Sequence, residues 1–270
     1  MTPGETVTTR LLPLVVAAGG LDPSAGAGIL ADVRTLEACG VQPCAVATAI
    51  TVQSGRGLVS SKPVAASLVG QQIDEIVAKL GCRWIKVGQV PTERCAQVLA
   101  ASIRRHDLNL VLDPVVKASG GGALASTAAV RATVRQLLPL ARVLTVNLAE
   151  AATLAGCRVS DRSGMEKAAR RLLALGAVSV VVKGGHLRGQ PVDLLVVADQ
   201  PLRWLASRRI GGHGAGMHGT GCAYASALAA NLATGAELET AARAASKHVR
   251  ELLKTARDFG GGRVLRVPSL

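Results

Sequence analysis

Short apolar runs of strand length alternate along the chain with longer segments whose apolar residues recur at helical spacing. Several of the runs are continuous in Val, Leu and Ile, which is typical of strands that are covered on both faces. This alternation predicts βαβ units, and therefore an α/β fold with a mostly parallel sheet between two layers of helices. The predicted strands are Pro13–Ala18, Pro43–Ile50, Trp84–Val87, Leu108–Leu112, Val143–Val146, Val178–Val182 and Leu194–Val197. The predicted helices are Ala27–Ala38, Ala65–Leu80, Glu93–Arg104, Met165–Leu175, Ala223–Leu232 and Leu238–Arg257.

No long linker rich in Pro or Ser interrupts this pattern, so we expect a single domain over residues 10–270. Residues 1–9 are expected to form a flexible tail. The segment Leu202–Ala206 is predicted as an additional antiparallel strand at the edge of the sheet. In open α/β sheets ligands bind at the carboxyl ends of the strands, so the segments that follow the apolar runs are the candidates for function.

Composition narrows the function classes. Hydrophobic residues make up 49% of the 270 residues and charged residues 18%, a balance that excludes a disordered chain. The net charge of +13 indicates a surface that attracts anions. The basic residues are scattered rather than clustered, and two Trp, one Tyr and one Phe cannot build stacking platforms, so we expect no nucleic-acid partner.

The six cysteines form no C-x-x-C pair, and no His stands at metal-binding spacing from any of them, which argues against a zinc site. The apolar stretch from Leu11 to Leu21 is too short to span a bilayer and contains two glycines, so no membrane partner is expected. No export signal is recognisable at the start of the sequence, which predicts a cytoplasmic protein with reduced thiols.

A glycine-rich segment, Gly19–Gly28, follows the first predicted strand. Its glycines allow a ligand to approach the backbone closely, and the helix that follows directs its amides at the loop. No Lys follows the glycines, so the segment is not a Walker A loop. The alternative is a tight structural turn in which Asp22 or Ser24 caps the next helix.

The segment His218-Gly219-Thr220-Gly221-Cys222 opens an apolar helix. Two glycines around a Thr at a helix start form a nest of backbone N–H donors that suits an anion. Cys222 falls in the first turn, where the helix dipole is expected to lower the pKa of its thiol and make it a proton acceptor or nucleophile. The alternative is a turn followed by a small buried Cys. The upstream run Gly211–Gly216 favours a mobile loop over a site.

Five more polar residues follow predicted strands. Asn147 and Glu150 can share a hydrated divalent cation, although a helix-capping box explains the same spacing. Lys183, beside two glycines, can meet a phosphate, or it is a solvated residue at a strand end. Asp113 can serve a metal or a basic group, or it can cap a turn. The amide of Gln53 can read the edge of a heterocycle, although a lone Gln in a loop is weak evidence.

Taken together and in this order, these segments resemble the ribokinase-like superfamily, and within it the hydroxymethylpyrimidine/phosphomethylpyrimidine kinases of thiamine biosynthesis. The resemblance extends from about Pro13 to about Lys254. Its most specific part is the Cys222 that ends the last motif, because most sugar and pyridoxal kinases of the superfamily have Asp there. The motifs that carry it are Ala18–Asp32, Thr48–Gln53, Leu112–Val115, Asn147–Glu150, Val182–Leu187 and His218–Cys222.

The resemblance implies a three-layer α/β/α kinase that uses ATP and Mg²⁺ and forms homodimers. On the nucleotide side it implies an anion hole formed by Gly219, Thr220 and Gly221 over the transferred phosphoryl group. It further implies that Lys183 contacts the ATP phosphates, helped by Thr220 and Asn147, and that Lys247 approaches the adenine. Glu150 and Asn147 support Mg²⁺ through water, and Asp113 helps to hold the metal.

On the acceptor side the resemblance implies that Cys222 is the base that deprotonates the hydroxymethyl group. Gln53 is expected to hydrogen-bond the aminopyrimidine. The expected pocket also includes Gly20, Ala27, Asp32, Gln89 and Val115. The expected reaction is phosphorylation of hydroxymethylpyrimidine, of its monophosphate, or of both.

The sequence departs from the family pattern at several positions. Gln89 follows Lys86-Val87-Gly88 where the family has Met, and Ala149 stands where Pro is common. The segment before His218 is richer in glycine, with Met217 at a position that is usually polar, and the segment after Pro114 aligns imperfectly. These departures leave two alternatives open, a pyridoxal kinase-like enzyme and a non-catalytic relative that binds a pyrimidine or a nucleotide.

Overall fold

The structure is a computed structural model that describes residues 12–54, 57–118, 121–187, 189–210, 218–258 and 263–265. The predicted tail 1–9 and the predicted loop Gly211–Gly216 lie outside these ranges.

The strands in the described part of the chain are β1 Leu14–Leu21, β2 Gln42–Ser54, β3 Gly57–Pro63, β4 Trp84–Val87, β5 Asn109–Leu112, β6 Ala141–Asn147, β7 Ser179–Lys183, β8 Val192–Val197 and β9 Arg203–Ala206, and a separate pair is β10 Arg257–Asp258 with β11 Arg263–Val264. Strands β1 to β9 form one sheet in the order β3-β2-β1-β4-β5-β6-β7-β8-β9. The five pairings from β2 to β7 are parallel, and β3, β8 and β9 are joined by antiparallel pairings. The predicted mostly parallel sheet and its antiparallel edge strand are therefore confirmed.

Helices cover both faces of the sheet. Those in the described part of the chain are α1 Gly28–Ala38, α2 Ala66–Leu80, α3 Glu93–Arg105, α4 Thr127–Ala132, α5 Leu148–Ala155, α6 Arg162–Ala174, α7 Thr220–Ala233 and α8 Leu238–Lys254. Helices α1, α7 and α8 pack together on one face, and α2, α3, α5 and α6 lie on the other. A π-helical turn over Thr133–Leu137 continues α4. No helix among the described residues is long and apolar enough to cross a membrane.

The continuous apolar runs divide their side chains between two cores. Val16 and Ala18 of β1 join the core beneath α2 and α3, whereas Val15 and Ala17 join the core beneath α7. Successive side chains of a strand point to opposite faces, so a strand buried on both faces needs an apolar residue at each position. This requirement explains why these runs do not alternate with polar residues.

Several predicted boundaries were wrong. The strand β2 continues to Ser54, and the polar strand β3, which the apolar pattern did not indicate, pairs with its end. Helix α6 begins at Arg162 rather than Met165, because the Asp161 side chain accepts a hydrogen bond from the Gly164 amide. Helix α8 ends at Lys254, and Arg257 belongs to the short strand β10.

Candidate active site

Two cavities lie at the carboxyl ends of the parallel strands and share a wall. The smaller has a volume of about 420 Å³ and the larger about 1350 Å³. Three residues with small side chains, Ala27, Val115 and Cys222, line both of them. Two ligands bound in these cavities would therefore face each other across Cys222.

The expected acceptor residues all line the smaller cavity, and the expected nucleotide residues, with one exception, line the larger. The smaller cavity contains Gly20, Ala27, Asp32, Gln53, Gln89, Val115 and Cys222. The larger contains Asp113, Asn147, Glu150, Lys183, Gly219, Thr220, Gly221 and Cys222.

The exception is Lys247, which is exposed on α8 and does not line either cavity. The structure therefore gives no support to the prediction that Lys247 approaches the nucleotide. Its neighbours Ser246, Val249 and Arg250 line the larger cavity instead. One position of an α-helix corresponds to a rotation of about 100°, so adjacent residues face different surroundings.

The projecting end of β2 forms one side of the smaller cavity. Thr51 and Gln53 face the cavity, while Ile50 and Val52 are exposed on the opposite face. The Thr51 hydroxyl donates to the backbone oxygen of Leu21 and so joins β2 to the end of β1. The two-residue period of the strand thus directs the Gln53 amide toward the position of a ligand.

Gln89 is a fixed part of the smaller cavity. Its Nε2 donates to Ser61 Oγ at 3.0 Å and to the backbone oxygen of Leu124 at 2.8 Å. A Cβ atom on Gly20 would lie 2.0 Å from Gln89 Oε1, so the glycine makes room for this amide. The polar residue that departs from the family pattern therefore packs directly against the glycine-rich segment.

The segment that begins at Asp22 is organised around one carboxylate. Asp22 accepts hydrogen bonds from the Ser24 amide and hydroxyl, from the Ala27 amide and from His218 Nε2. Burial alone would raise the pKa of this carboxyl, but the hydrogen bonds from His218 and Ser24 lower it to about 2. Asp22 folds the loop ahead of α1 and attaches it to the 218–222 turn. The alternative in which Asp22 or Ser24 caps helix α1 is not what the structure shows, since Ala27 occupies the N-cap position.

The turn at the start of α7 requires glycine. Gly219 has φ +87°, and a Cβ atom there would lie 1.9 Å from the backbone oxygen of Gly26. Gly221 lies beside Lys183, whose Nζ would be 3.3 Å from an added Cβ. The first amides of α7 and the Lys183 ammonium therefore converge at one end of the larger cavity, an arrangement suited to a phosphate group.

The expected low pKa of the Cys222 thiol was wrong. Burial raises the pKa of the Cys222 thiol to about 11, and the opposing charge of Lys86 only limits that rise. Cys222 does lie in the first turn of α7, but the loss of hydration outweighs the helix dipole there. A thiol in this state is protonated at neutral pH.

Asn147 and Glu150 form the capping box that was weighed against a cation site. Asn147 Oδ1 accepts from the Glu150 amide, and Glu150 Oε2 accepts from the Asn147 amide. Both residues nevertheless line the larger cavity. Burial raises the pKa of the Glu150 carboxyl to about 7 against the opposing charge of Lys183.

Asp113 stands between two lysines. Its Oδ1 accepts from Lys183 Nζ and from the Thr145 hydroxyl, each at 2.9 Å. Its Oδ2 is buried and has no hydrogen-bond partner among the described residues. A buried carboxylate oxygen of this kind, in the cavity that Glu150 also lines, fits a hydrated Mg²⁺ that takes its other ligands from water and phosphate oxygens. No group of three His, Cys, Asp or Glu side chains in the described part of the chain could hold a metal alone.

Sequence reasoning missed several residues of the site. Lys86 was hidden in an apolar run, although a charged residue within a buried strand is a recognisable signal. The pairing of Asp22 with His218 joins residues 196 positions apart and leaves no local pattern. Arg209 lines the larger cavity and donates to the backbone oxygens of Gly185, Leu187 and Gly189, so it fixes the loop after β7.

Comparisons with known proteins agree with this architecture. The family model described as phosphomethylpyrimidine kinase matches residues 22–265. A hydroxymethylpyrimidine/phosphomethylpyrimidine kinase of Rhizobium meliloti is 38% identical, over 93% of this chain and 94% of its own length.

Two solved structures share the fold. A Bacillus subtilis pyridoxal kinase in complex with ADP is 29% identical with a TM-score of 0.85, and 94% of this chain and 97% of that chain are covered. A phosphomethylpyrimidine kinase of Clostridium difficile is 28% identical with a TM-score of 0.77, with coverages of 90% and 99%. These likenesses confirm the ribokinase-like α/β/α fold. Given the match over residues 22–265, the chain belongs to the phosphomethylpyrimidine kinase family.

Proposed function

We propose that this protein transfers the γ-phosphoryl group of ATP to the hydroxymethyl group of 4-amino-5-hydroxymethyl-2-methylpyrimidine and to the monophosphate that results. The observation that carries the proposal is the shared wall of the two cavities, where Cys222 lies between a small and a large compartment and the turn Gly219–Gly221 lines the large one beside it. The pyrimidine occupies the smaller cavity and the nucleotide the larger. The family membership supplies the reaction class.

On the nucleotide side, backbone amides and one lysine stabilise the transferred group. The N–H groups of Gly219, Thr220 and Gly221 point at the phosphoryl group, and Lys183 offsets the negative charge of the phosphates. Phosphoryl transfer depends mainly on positioning and charge stabilisation, so this set is chemically sufficient for most of the catalysis. The ADP complex of the Bacillus subtilis relative supports ATP as donor.

We further propose Mg²⁺ as the resident metal. Asp113 and Glu150 hold it, largely through water, and Asn147 orients Glu150. When bound, the ion offsets the charge on the phosphate oxygens. The Oδ2 atom of Asp113, which is buried and has no hydrogen-bond partner among the described residues, supports a cation at this position.

On the acceptor side, Gln53 hydrogen-bonds the edge of the aminopyrimidine and Gln89 borders the same ring. Asp32 belongs to the floor of this cavity and is fully buried. Cys222 faces the hydroxymethyl oxygen, and its thiolate form takes the alcohol proton during the transfer. A homodimer in the cytoplasm, with no nucleic-acid or membrane partner, completes the proposal.

A coupled assay of ADP release with MgATP tests the function. The acceptors are hydroxymethylpyrimidine, its monophosphate and pyridoxal, each at saturating concentration. Turnover with either pyrimidine is the expected result. If a folded protein that binds MgATP turns over none of them, the proposed function is wrong and the non-catalytic alternative stands.

Pyridoxal is the second candidate acceptor, and one observation favours it. The pyridoxal kinase of Bacillus subtilis superimposes with a higher TM-score than the phosphomethylpyrimidine kinase of Clostridium difficile, 0.85 against 0.77. Turnover with pyridoxal alone would select this activity and would make Gln89 the residue to examine for ring preference.

A further inference from the structure

A row of alternating charges crosses the floor of the two cavities. It runs from Asp32 through Lys86, Asp113 and Lys183 to Glu150. Lys86 Nζ lies 2.9 Å from both carboxylate oxygens of Asp32 and 3.9 Å from Asp113 Oδ2. Lys183 Nζ lies 2.9 Å from Asp113 Oδ1. The proposed function gives roles to the other four residues and leaves Lys86 without one.

Lys86 is an unusual residue to find in a central strand. Its side chain is fully buried, and it lines the smaller cavity together with Asp32 and Cys222. Apolar side chains of similar volume often replace a buried ion pair at no cost in stability. Fold stability alone therefore does not account for a cation at this position. The position of Lys86 in the cavity beside Asp32 and Cys222 indicates a role in the site instead.

Lys86 is the charge that most favours the ionised form of Cys222. Burial raises the pKa of the Cys222 thiol, Lys86 lowers it, and Asp32 and Asp113 raise it again. A hydrogen bond from the Gly28 amide to the sulphur also lowers it, and Lys183 interacts with the thiol more weakly from the other side. Without Lys86, two carboxylates and a desolvated pocket would surround the sulphur.

We propose that Lys86 is a positioning residue that supplies the positive charge under Cys222 and serves the alcohol acceptor selectively, so that its loss slows phosphorylation of the hydroxymethyl group far more than phosphorylation of the monophosphate. This inference rests on the proposed function.

The selectivity follows from the proton balance of the two steps. In the first, the hydroxymethyl oxygen attacks the γ-phosphorus, and the bond between that phosphorus and ADP breaks with its electron pair leaving on ADP. The alcohol proton passes to the ionised sulphur of Cys222, the thiolate, and later to water. In the second, the attacking atom is a phosphate oxygen. A phosphate monoester has a second pKa of about 6, so near pH 7 that oxygen carries no proton for a base to remove.

The experiment compares Asp32→Asn with Asp32→Asn/Lys86→Met. The two variants differ only at Lys86, and the double variant leaves no uncompensated charge at position 32. We expect the double variant to be slower by about a hundredfold with the alcohol acceptor and by less than about threefold with the monophosphate. Ser226→Ala, which removes the hydroxyl that donates to Asp32 Oδ1 at 2.8 Å, is the packing control and should leave the ratio of the two rates unchanged.

An equal loss with both acceptors would overturn the inference, because Lys86 would then act through Asp113 or through packing. Unchanged rates with both would overturn it as well. If the wild-type protein uses neither acceptor, the proposed function fails on its own, and a second measurement still tests Lys86.

That measurement is alkylation of Cys222 by iodoacetamide at pH 8, followed by peptide mass spectrometry. Because the thiolate is the reactive form, we expect alkylation to be about tenfold slower in the double variant than in Asp32→Asn. Equal alkylation rates in the two variants would overturn the role of Lys86, whichever acceptors the protein uses.

Discussion

At the scale of single residues, Cys222 is the side chain on which the chemistry depends. We expect Cys222→Ala to lower turnover with hydroxymethylpyrimidine by about 10²–10⁴-fold, because a positioned base contributes that much to proton transfer. Binding of the pyrimidine should change little, since the thiol contributes only a small part of the cavity wall. Steady-state ADP release and calorimetric binding measure the two effects.

Cys157→Ala is the matched control, because Cys157 is a free cysteine that lines neither of the two cavities. It should retain wild-type turnover. Full turnover in Cys222→Ala would remove the thiol from the role of base.

Gln53 is the residue that we expect to read the pyrimidine ring. Gln53→Ala should raise the Kd for the pyrimidine by about tenfold, the value of one or two hydrogen bonds in a desolvated site, and leave the Kd for MgATP within about twofold. Val52→Ala provides the control, since Val52 is adjacent in β2 but faces solvent. An equal loss of affinity for the pyrimidine and for MgATP in Gln53→Ala would indicate misfolding or a different pocket.

At the scale of elements, the attachment of the glycine-rich loop to the 218–222 turn should be visible in acid. The pKa of Asp22 is about 2 in the folded protein and 3.8 ordinarily, so its contribution to stability is present above pH 4 and is lost as the pH falls toward 2. Between pH 5 and pH 3 the difference in unfolding free energy between wild type and Asp22→Asn should narrow by about 1 kcal/mol.

Urea unfolding at a series of pH values measures this difference. His218→Asn removes one of the hydrogen bonds that lower the pKa of Asp22, and it should reduce the same narrowing in part. If the unfolding free energies of wild type and Asp22→Asn differ by the same amount at every pH, the hydrogen bonds to the Asp22 carboxylate do not stabilise the fold.

The elements themselves were predictable to different degrees. Strands with both faces buried, such as β7, are continuous apolar runs, and the sequence shows them directly. The polar strand β3 has no such run, because it forms the sheet edge and only pairing with β2 makes it a strand. Local sequence cannot report a pairing partner.

The residues of the candidate site were also predictable to different degrees. Motifs next to strand ends, such as Lys183 and the turn at Gly219, could be found from the sequence. Their glycines and their position after an apolar run are visible without the structure. The thiol pKa of Cys222 was predicted in the wrong direction, since burial and the charges of Lys86, Asp32 and Asp113 depend on tertiary structure. The helix dipole was the only one of these influences that the sequence exposes.

At the scale of the whole molecule, the hairpin of β2 and β3 at the sheet edge carries exposed apolar side chains. Ile50, Val52 and Val59 of β2 and β3 are 46%, 56% and 81% exposed. Exposed apolar side chains on an edge hairpin are typical of an interface, so we expect the homodimer to form there.

Val59→Lys should convert the dimer to a monomer, as measured by size-exclusion chromatography with light scattering. Val178→Lys is the control, because Val178 is an exposed valine beside β7, far from this edge in strand order. A dimer that withstands Val59→Lys, or a wild-type protein that is monomeric, would contradict the prediction.

The shared wall of the two cavities also bears on inhibition. Because Ala27, Val115 and Cys222 border both compartments, one molecule could carry a pyrimidine-like ring and a nucleotide joined by a phosphate bridge. Once one end is bound, the other meets its compartment at an effective concentration on the order of mM, so the linked compound should bind about 10²–10⁴-fold more tightly than either half. The linked compound would be selective because a protein can bind both of its ends only if it has both pockets at this spacing. The small side chain of Cys222 sets that spacing.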